Sequence, residues 1–293
     1  MNGFKFVFAF VSNLFLGMFK KRSFSNWSPS FEAMVSTLRD VVQQTSLWSA
    51  RSQRMVWDRL VPTNKRLMKQ LETKPATWAN CNALVITPLT NALPKQSIFY
   101  IHGGSFVFGS IETHKAFCAR LALHCHVEVN LVEYSQAPEY QFPYQINELL
   151  AAFRHFLTQK KRTGQRIFLA GDGAGGNLAL ALLLKLSEKE IEEIGGMILL
   201  SPWGDLSQLG DTLISHAKYD WLSPKLLQHW IFQYLEHSDV KDPLVSPFLA
   251  KFKRFPRTFL SVGSAEMLFS QVDHFFARNA RYHLPIQYVI ARN

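Results

Sequence analysis

From residue 83 onward the chain alternates short, mainly apolar runs with stretches of helical periodicity, and this alternation restricts the fold more than any other feature. The apolar runs fall at 83–87, 97–101, 127–134, 166–170, 196–201, 257–262 and 286–290. Between several of them, apolar residues recur at three- and four-residue spacing over 113–123, 144–159, 177–189 and 271–282. Short apolar runs suit strands buried on both faces, and strand–helix repetition predicts a mostly parallel central sheet covered by helices on both faces. Hydrophobic residues at 47% against 18% charged supply the core that such a sheet needs. The same balance excludes a disordered, collagen-like or coiled-coil chain.

Two regions break the rhythm. Residues 29–75 read as helical throughout, with Phe31, Met34, Leu38, Val41 and Val42, then Met55, Leu60, Leu67 and Leu71, at helical spacing. Residues 205–245 interrupt the later strands with helical sequence, clearest over 224–235. An insertion beside the carboxyl ends of strands is where a lid sits. The expected organisation is an apolar N-terminal segment (1–22), a helical cap region (23–76) and an α/β core (77–293) that carries a cap insertion at about 205–245.

Lysine and arginine outnumber acids 32 to 22, but the charge is scattered and no zinc-finger, basic-zipper or RNA-binding signature accompanies it. A solvated basic surface is expected, not a nucleic-acid partner. Three cysteines without C-x-x-C spacing suggest neither a disulfide framework nor a zinc site, so a reducing, cytoplasmic compartment is expected, with no metal and no cofactor. Residues 4–19 are apolar except Lys5, Ser12 and Asn13, and run into Lys20-Lys21-Arg22. The run falls short of the roughly 20 residues of a spanning helix, and no small-residue cleavage site follows it. Two readings stay open: a helix lying on the body as part of a lid, or an interfacial anchor through residues 4–22 on the inner face of a membrane.

Two glycine-rich segments carry the chemistry. His102-Gly103-Gly104-Ser105 follows a strand, where glycines let backbone N–H groups approach a ligand. Gly171-Asp172-Gly173-Ala174-Gly175-Gly176 lies between a strand and a helix. Read literally, Gly171, Gly173 and Gly176 satisfy the dinucleotide fingerprint G-x-G-x-x-G. That fingerprint also asks for an acid at the end of the next strand, whereas this one ends in Leu199-Leu200-Ser201-Pro202 and Asp205 comes later. The competing reading is a nucleophile elbow, G-x-S-x-G, with glycine at the nucleophile position.

The second reading gains from a wider pattern. Tyr134-Ser135-Gln136-Ala137-Pro138-Glu139 precedes Phe142-Pro143, and Ser201-Pro202-Trp203, Asp242-Pro243, Ser246-Pro247 and Val262-Gly263-Ser264-Ala265-Glu266-Met267-Leu268 follow in order. From about residue 78 to its end the chain resembles the hormone-sensitive-lipase branch of the α/β-hydrolase fold family. His102 to Ser105 matches that branch's His-Gly-Gly-Gly loop, with Ser in the last place. Gly171 to Gly176 matches its Gly-Asp-Ser-Ala-Gly-Gly, except at Gly173.

The resemblance implies an α/β-hydrolase fold with a helical cap, and hydrolysis of carboxylic esters by acyl transfer. It implies oxyanion donors at the N–H groups of Gly103, Gly104 and Ala174, and the triad acid at Glu266. Serine is replaced by Gly173, which has no Oγ to form an acyl-enzyme. The family's histidine follows the last strand, and after Ile290 only Ala291, Arg292 and Asn293 remain, so the expectation is a truncated C-terminus with the histidine absent. His283 precedes the last strand, at the wrong end to serve as base. The expected protein is thus an ester-hydrolase scaffold that is inactive or strongly impaired. The alternatives are a ligand-binding pseudoenzyme for apolar esters or carboxylates, or the dinucleotide reading.

Overall fold

The computed structural model describes residues 3–17, 22–60, 64–90, 95–207 and 210–292. Four helices come first: α1 (Gly3–Gly17), α2 (Pro29–Thr45), α3 (Ala50–Leu60) and the short α4 (Lys65–Met68). Strands β1 (Leu71–Trp78), β2 (Cys81–Pro88) and β3 (Gln96–Ile101) follow, then α5 (Ile111–Cys125), β4 (Glu128–Val132), α6 (Tyr144–Arg162), β5 (Arg166–Asp172), α7 (Gly173–Lys185), α8 (Glu188–Glu192) and β6 (Ile194–Leu200). The chain continues with α9 (Thr212–Ser215), α10 (Pro224–Leu235), β7 (Thr258–Gly263), α11 (Phe269–Ala280) and β8 (Ile286–Ala291).

One sheet results, in the order β1-β2-β4-β3-β5-β6-β7-β8. β1 and β2 run antiparallel, as do β2 and β4, and every other neighbouring pair is parallel. Alternate residues of the central strands feed opposite cores. Phe99, Ile101, Leu169 and Leu199 join the cluster that contains Phe153 and Leu178, whereas Ile98, Tyr100 and Ala170 join the one that contains Cys118 and Ala122. The strand period of two thus meets α6 and α7 on one face and α5 on the other.

The helical reading of 23–76 needs correction at its end: residues from Leu71 form the edge strand β1, paired Leu71 to Pro88 through Trp78 to Cys81. Only Leu71 is buried in that strand, so it lacks the apolar run that marks the inner strands, and Pro75 is tolerated because it lies at the sheet edge.

Local signals start the helices. Ser28 and Ser223 cap α2 and α10 through their hydroxyls, each followed by proline at the first turn, and Ser110 and Thr113 cap α5 reciprocally. Helices α1 to α3 and residues 210–235 form a common layer against the loops that leave the strands' carboxyl ends. Arg39 of α2 donates to the carbonyls of Asp220 and Lys218, both at 2.8 Å. Trp57 of α3 stacks on Phe108 at 5.4 Å and meets Trp221 at 5.8 Å. Among the described residues no helix is long and apolar enough to cross a membrane. Lys20 and Lys21 of the basic triplet lie outside the described residues.

Candidate functional site

The turn from β5 into α7 is built from glycine for two different reasons. Gly175 faces the carbonyls of Ile101 and His102, where a Cβ would collide, so the first turn of α7 can press against the end of β3. Gly173 instead has φ +51°, and the position its Cβ would occupy has no neighbour within 4 Å. Strand, positive-φ residue and helix in succession are the geometry of a nucleophile elbow. The Gly173 carbonyl accepts the Trp203 N–H at 2.9 Å, and Asn177 donates to the carbonyls of Trp203 (2.9 Å) and Val245 (2.8 Å), tying this turn to the loops beyond β6 and α10.

Asp172 organises the facing loop. Its Oδ1 accepts the Tyr100 hydroxyl at 2.8 Å and the Gly103 N–H at 3.0 Å, while Oδ2 faces His114 Nε2 at 3.4 Å. Burial works to raise this carboxyl, but His114, the Tyr100 hydroxyl and the Gly103 N–H together hold it below the usual carboxylate range. Burial, with the Asp172 charge behind it, pushes the Tyr100 phenol well up, so the hydroxyl stays a donor. The Gly103 N–H is therefore already engaged, which corrects the expectation that it donates to a ligand alongside Gly104 and Ala174. The N–H groups of Gly104 and Ala174 have no partner among the described residues.

The loop after β3 is tightly wound. Gly104 has φ +120°, and its carbonyl accepts from both Val107 (3.0 Å) and Phe108 (2.9 Å). Gln136 donates to the carbonyls of Phe108 (2.9 Å) and Gly109 (2.7 Å), and the Ala137 N–H reaches the Phe106 carbonyl at 2.9 Å. The Tyr134–Glu139 segment thus buttresses the loop. Arg54 of α3 adds bonds to the carbonyls of Val107 (2.7 Å) and Ala137 (2.6 Å) and an ion pair with Glu139 (2.7 Å). His102 is fully buried and stacks on Tyr134 at 4.5 Å; burial, reinforced by His114, lowers its pKa to about 3. The neutral ring donates through Nδ1 to the Gly103 carbonyl at 2.8 Å.

Glu266 sits in the turn after β7. Its Oε1 accepts the Ser201 hydroxyl (2.8 Å) and the Gly263 N–H (2.7 Å), and Oε2 has no hydrogen-bond partner among the described residues. Burial raises this carboxyl, and the charge of Asp220 adds to the effect against those two donors. Asp220 Oδ2 accepts the N–H of Met267 at 2.8 Å. The end of β8 lies alongside, because Ser264 N–H donates to the Ala291 carbonyl at 2.9 Å. His283 occupies the turn that leads into β8, at the opposite end of that strand.

Several contributors escape sequence reasoning. His216, in the insertion, brings Nδ1 to 3.2 Å from the Glu266 carbonyl oxygen. His114, Tyr100 and Arg54 reach the site from three other elements, and no local spacing announces them. Asp172 alone carried a signal, by its place before the elbow glycine. Asp205, the first acid after β6, spends Oδ1 on the N–H and hydroxyl of Ser207, which leaves the ribose role of the dinucleotide reading without support. Among the described residues no three His, Cys, Asp or Glu side chains are grouped to hold a metal ion.

Comparison with known proteins agrees with this geometry. The family described as alpha/beta hydrolase fold matches residues 98–291. An esterase of Acinetobacter venetianus is 37% identical over 183 residues, which cover 61% of this chain and 60% of that protein. A hormone-sensitive lipase from a metagenome library superimposes with a TM-score of 0.76 at 26% identity, over 88% of this chain and 87% of the other. A crystallised double mutant of an esterase gives a TM-score of 0.80 at 25% identity, over 90% and 88% of the two chains. The chain spans a little under two thirds of the length of the curated relatives it matches.

Proposed function

Because the chain belongs to the α/β-hydrolase fold family, on its hormone-sensitive-lipase-like branch, we propose that it is a carboxylic-ester hydrolase scaffold whose acyl transfer is silenced at residue 173. Gly173 is the observation that carries this reading. Acyl transfer needs an oxygen that attacks the ester carbonyl carbon and passes its proton to a base, while N–H donors hold the developing oxyanion. Glycine at the elbow offers no atom to form that bond. Gly104 and Ala174 N–H remain in place to polarise an ester carbonyl, and Glu266 Oε2 remains free to orient an imidazole. The three unpaired thiols, Cys81, Cys118 and Cys125, support a reducing compartment.

A second reading follows from the same turn. Open space at the Gly173 Cβ position, next along the chain to the unengaged Ala174 N–H, suits a carboxylate oxygen as well as an ester, so the protein acts as a binder of apolar carboxylates. The test is hydrolysis of a short p-nitrophenyl ester by the chain and by Gly173→Ser carrying a C-terminal extension that supplies a histidine. The chain is expected at buffer background and the repaired protein above it. Turnover by the unaltered chain, or its labelling by a fluorophosphonate, overturns the silencing. Calorimetric heat with medium-chain carboxylates separates the binder from the merely silent scaffold.

A further inference from the structure

Helix α1 has two unlike sides. Its inner side is held: Asn13 donates to Thr37 Oγ1 (3.2 Å) and Asp40 Oδ2 (3.1 Å), and Phe6 packs on Val41, Val56 and Leu60. Its outer side carries Val7, Phe8, Val11, Phe15 and Leu16, with Phe8 69% exposed and Val7 58%. Val7, Val11 and Phe15 follow one another at four-residue spacing with Phe8 beside them, so they share one stripe. Ser12 is exposed among these apolar residues.

Charge says what covers this stripe. Residues 1–31 contain Lys5, Lys20, Lys21 and Arg22 and no acid at all. Cations therefore flank an apolar face on both sides along the sequence, a pattern that attracts anionic headgroups while the apolar side chains enter the acyl boundary. A separate aromatic cluster lies at the start of α2: Phe24 lies 4.9 Å from Trp27 and 4.7 Å from Tyr219 of the insertion, and Trp27 lies 4.8 Å from the half-exposed Phe31. Amphipathic aromatic rings favour the headgroup level.

We propose that α1 lies in the surface of an anionic bilayer, with the Val7–Phe8–Val11 stripe in the lipid. The layer it belongs to also touches the site. Through Asn13 it holds α2, whose Arg39 holds the Asp220 carbonyl, and Asp220 Oδ2 in turn holds the N–H beside Glu266. The bilayer thereby seats the cap where lipophilic esters or carboxylates partition.

Co-sedimentation of the full chain with vesicles of phosphatidylcholine alone, and of phosphatidylcholine with phosphatidylglycerol, tests this. Binding to the anionic vesicles is expected at least tenfold tighter than to the neutral ones, and weaker as salt rises. Phe8→Glu with Val11→Glu should abolish it while circular dichroism and the thermal melt stay unchanged, because both side chains point to solvent. Equal binding to both vesicles, no binding to either, or binding that survives the double substitution overturns the proposal. So does a chain that sediments as a dimer without lipid and becomes monomeric on Phe8→Glu, since a second copy then covers the stripe.

Discussion

Two turns at the carboxyl ends of neighbouring strands each place a glycine at positive φ, and they need it for opposite reasons. At Gly104, after β3, an added Cβ would collide with the Phe108 carbonyl, so the wound loop excludes every side chain. At Gly173, after β5, an added Cβ meets nothing within 4 Å. The first glycine is demanded by the fold. The second is allowed by it, and the space that a nucleophile would occupy is preserved around a residue that cannot use it. The departure from a serine elbow is thus local: Gly173 lacks the side chain, while the backbone that would present one keeps its positive φ and its open space.

The contrast can be broken most severely at the first turn. Gly104→Ala combines a backbone clash with a φ that L-residues rarely adopt, and should cost about 3 kcal/mol, lowering Tm by about 6–12 °C in a thermal melt. A loss comparable to that of Gly173→Ser would show that the two turns do not differ.

Asp172, which joins the two turns, comes next. Asp172→Asn weakens charge-assisted bonds from Gly103 and Tyr100 and should cost about 2 kcal/mol by urea denaturation. Its pH signature is distinctive. A carboxyl held below its unfolded value of about 3.9 contributes stability above that pH and loses it as the pH falls through the folded value. Glu266, raised by burial, behaves oppositely: stability falls as the pH rises from its unfolded value of about 4.3 through the folded one. Asp172→Asn should therefore flatten the acid limb of a stability–pH curve, and Glu266→Gln should remove the decline above it. The same limb in both variants would refute this division between the carboxylates.

The smallest effect belongs to the vacated position. Gly173→Ser finds room for its side chain and meets only the backbone preference against φ +51°, about 1 kcal/mol, or about 2–4 °C in Tm. A loss above about 3 kcal/mol would mean that the turn has closed over the site.

Legibility in the sequence followed apolar content. Strands β2 to β7 were readable from their mainly apolar runs, and the edge strand β8 from Ile286, Tyr288, Val289 and Ile290 although none of these is buried; α10 was readable over 224–235. β1 was not, since one buried leucine in an edge strand leaves no period to detect. At the site, Gly173, Glu266 and the loop after β3 stood out through their motifs. Which N–H of that loop is free did not, because the answer lies with Asp172, 69 residues away, and a separation of 50 residues likewise hides His216 from Glu266. Motifs name the backbone that does the work; the side chains that set its hydrogen bonds come from elsewhere in the chain.

Arg54 has a consequence for modularity. One side chain of the N-terminal layer holds the carbonyls of Val107 and Ala137 and pairs with Glu139, so two loops of the sheet domain depend on a cap residue for their acceptors' partners. Caps of this kind are not interchangeable parts. A chimera that grafts a relative's helices onto this sheet inherits a new roof but leaves two backbone carbonyls orphaned underneath, unless the graft brings a guanidinium to the same place.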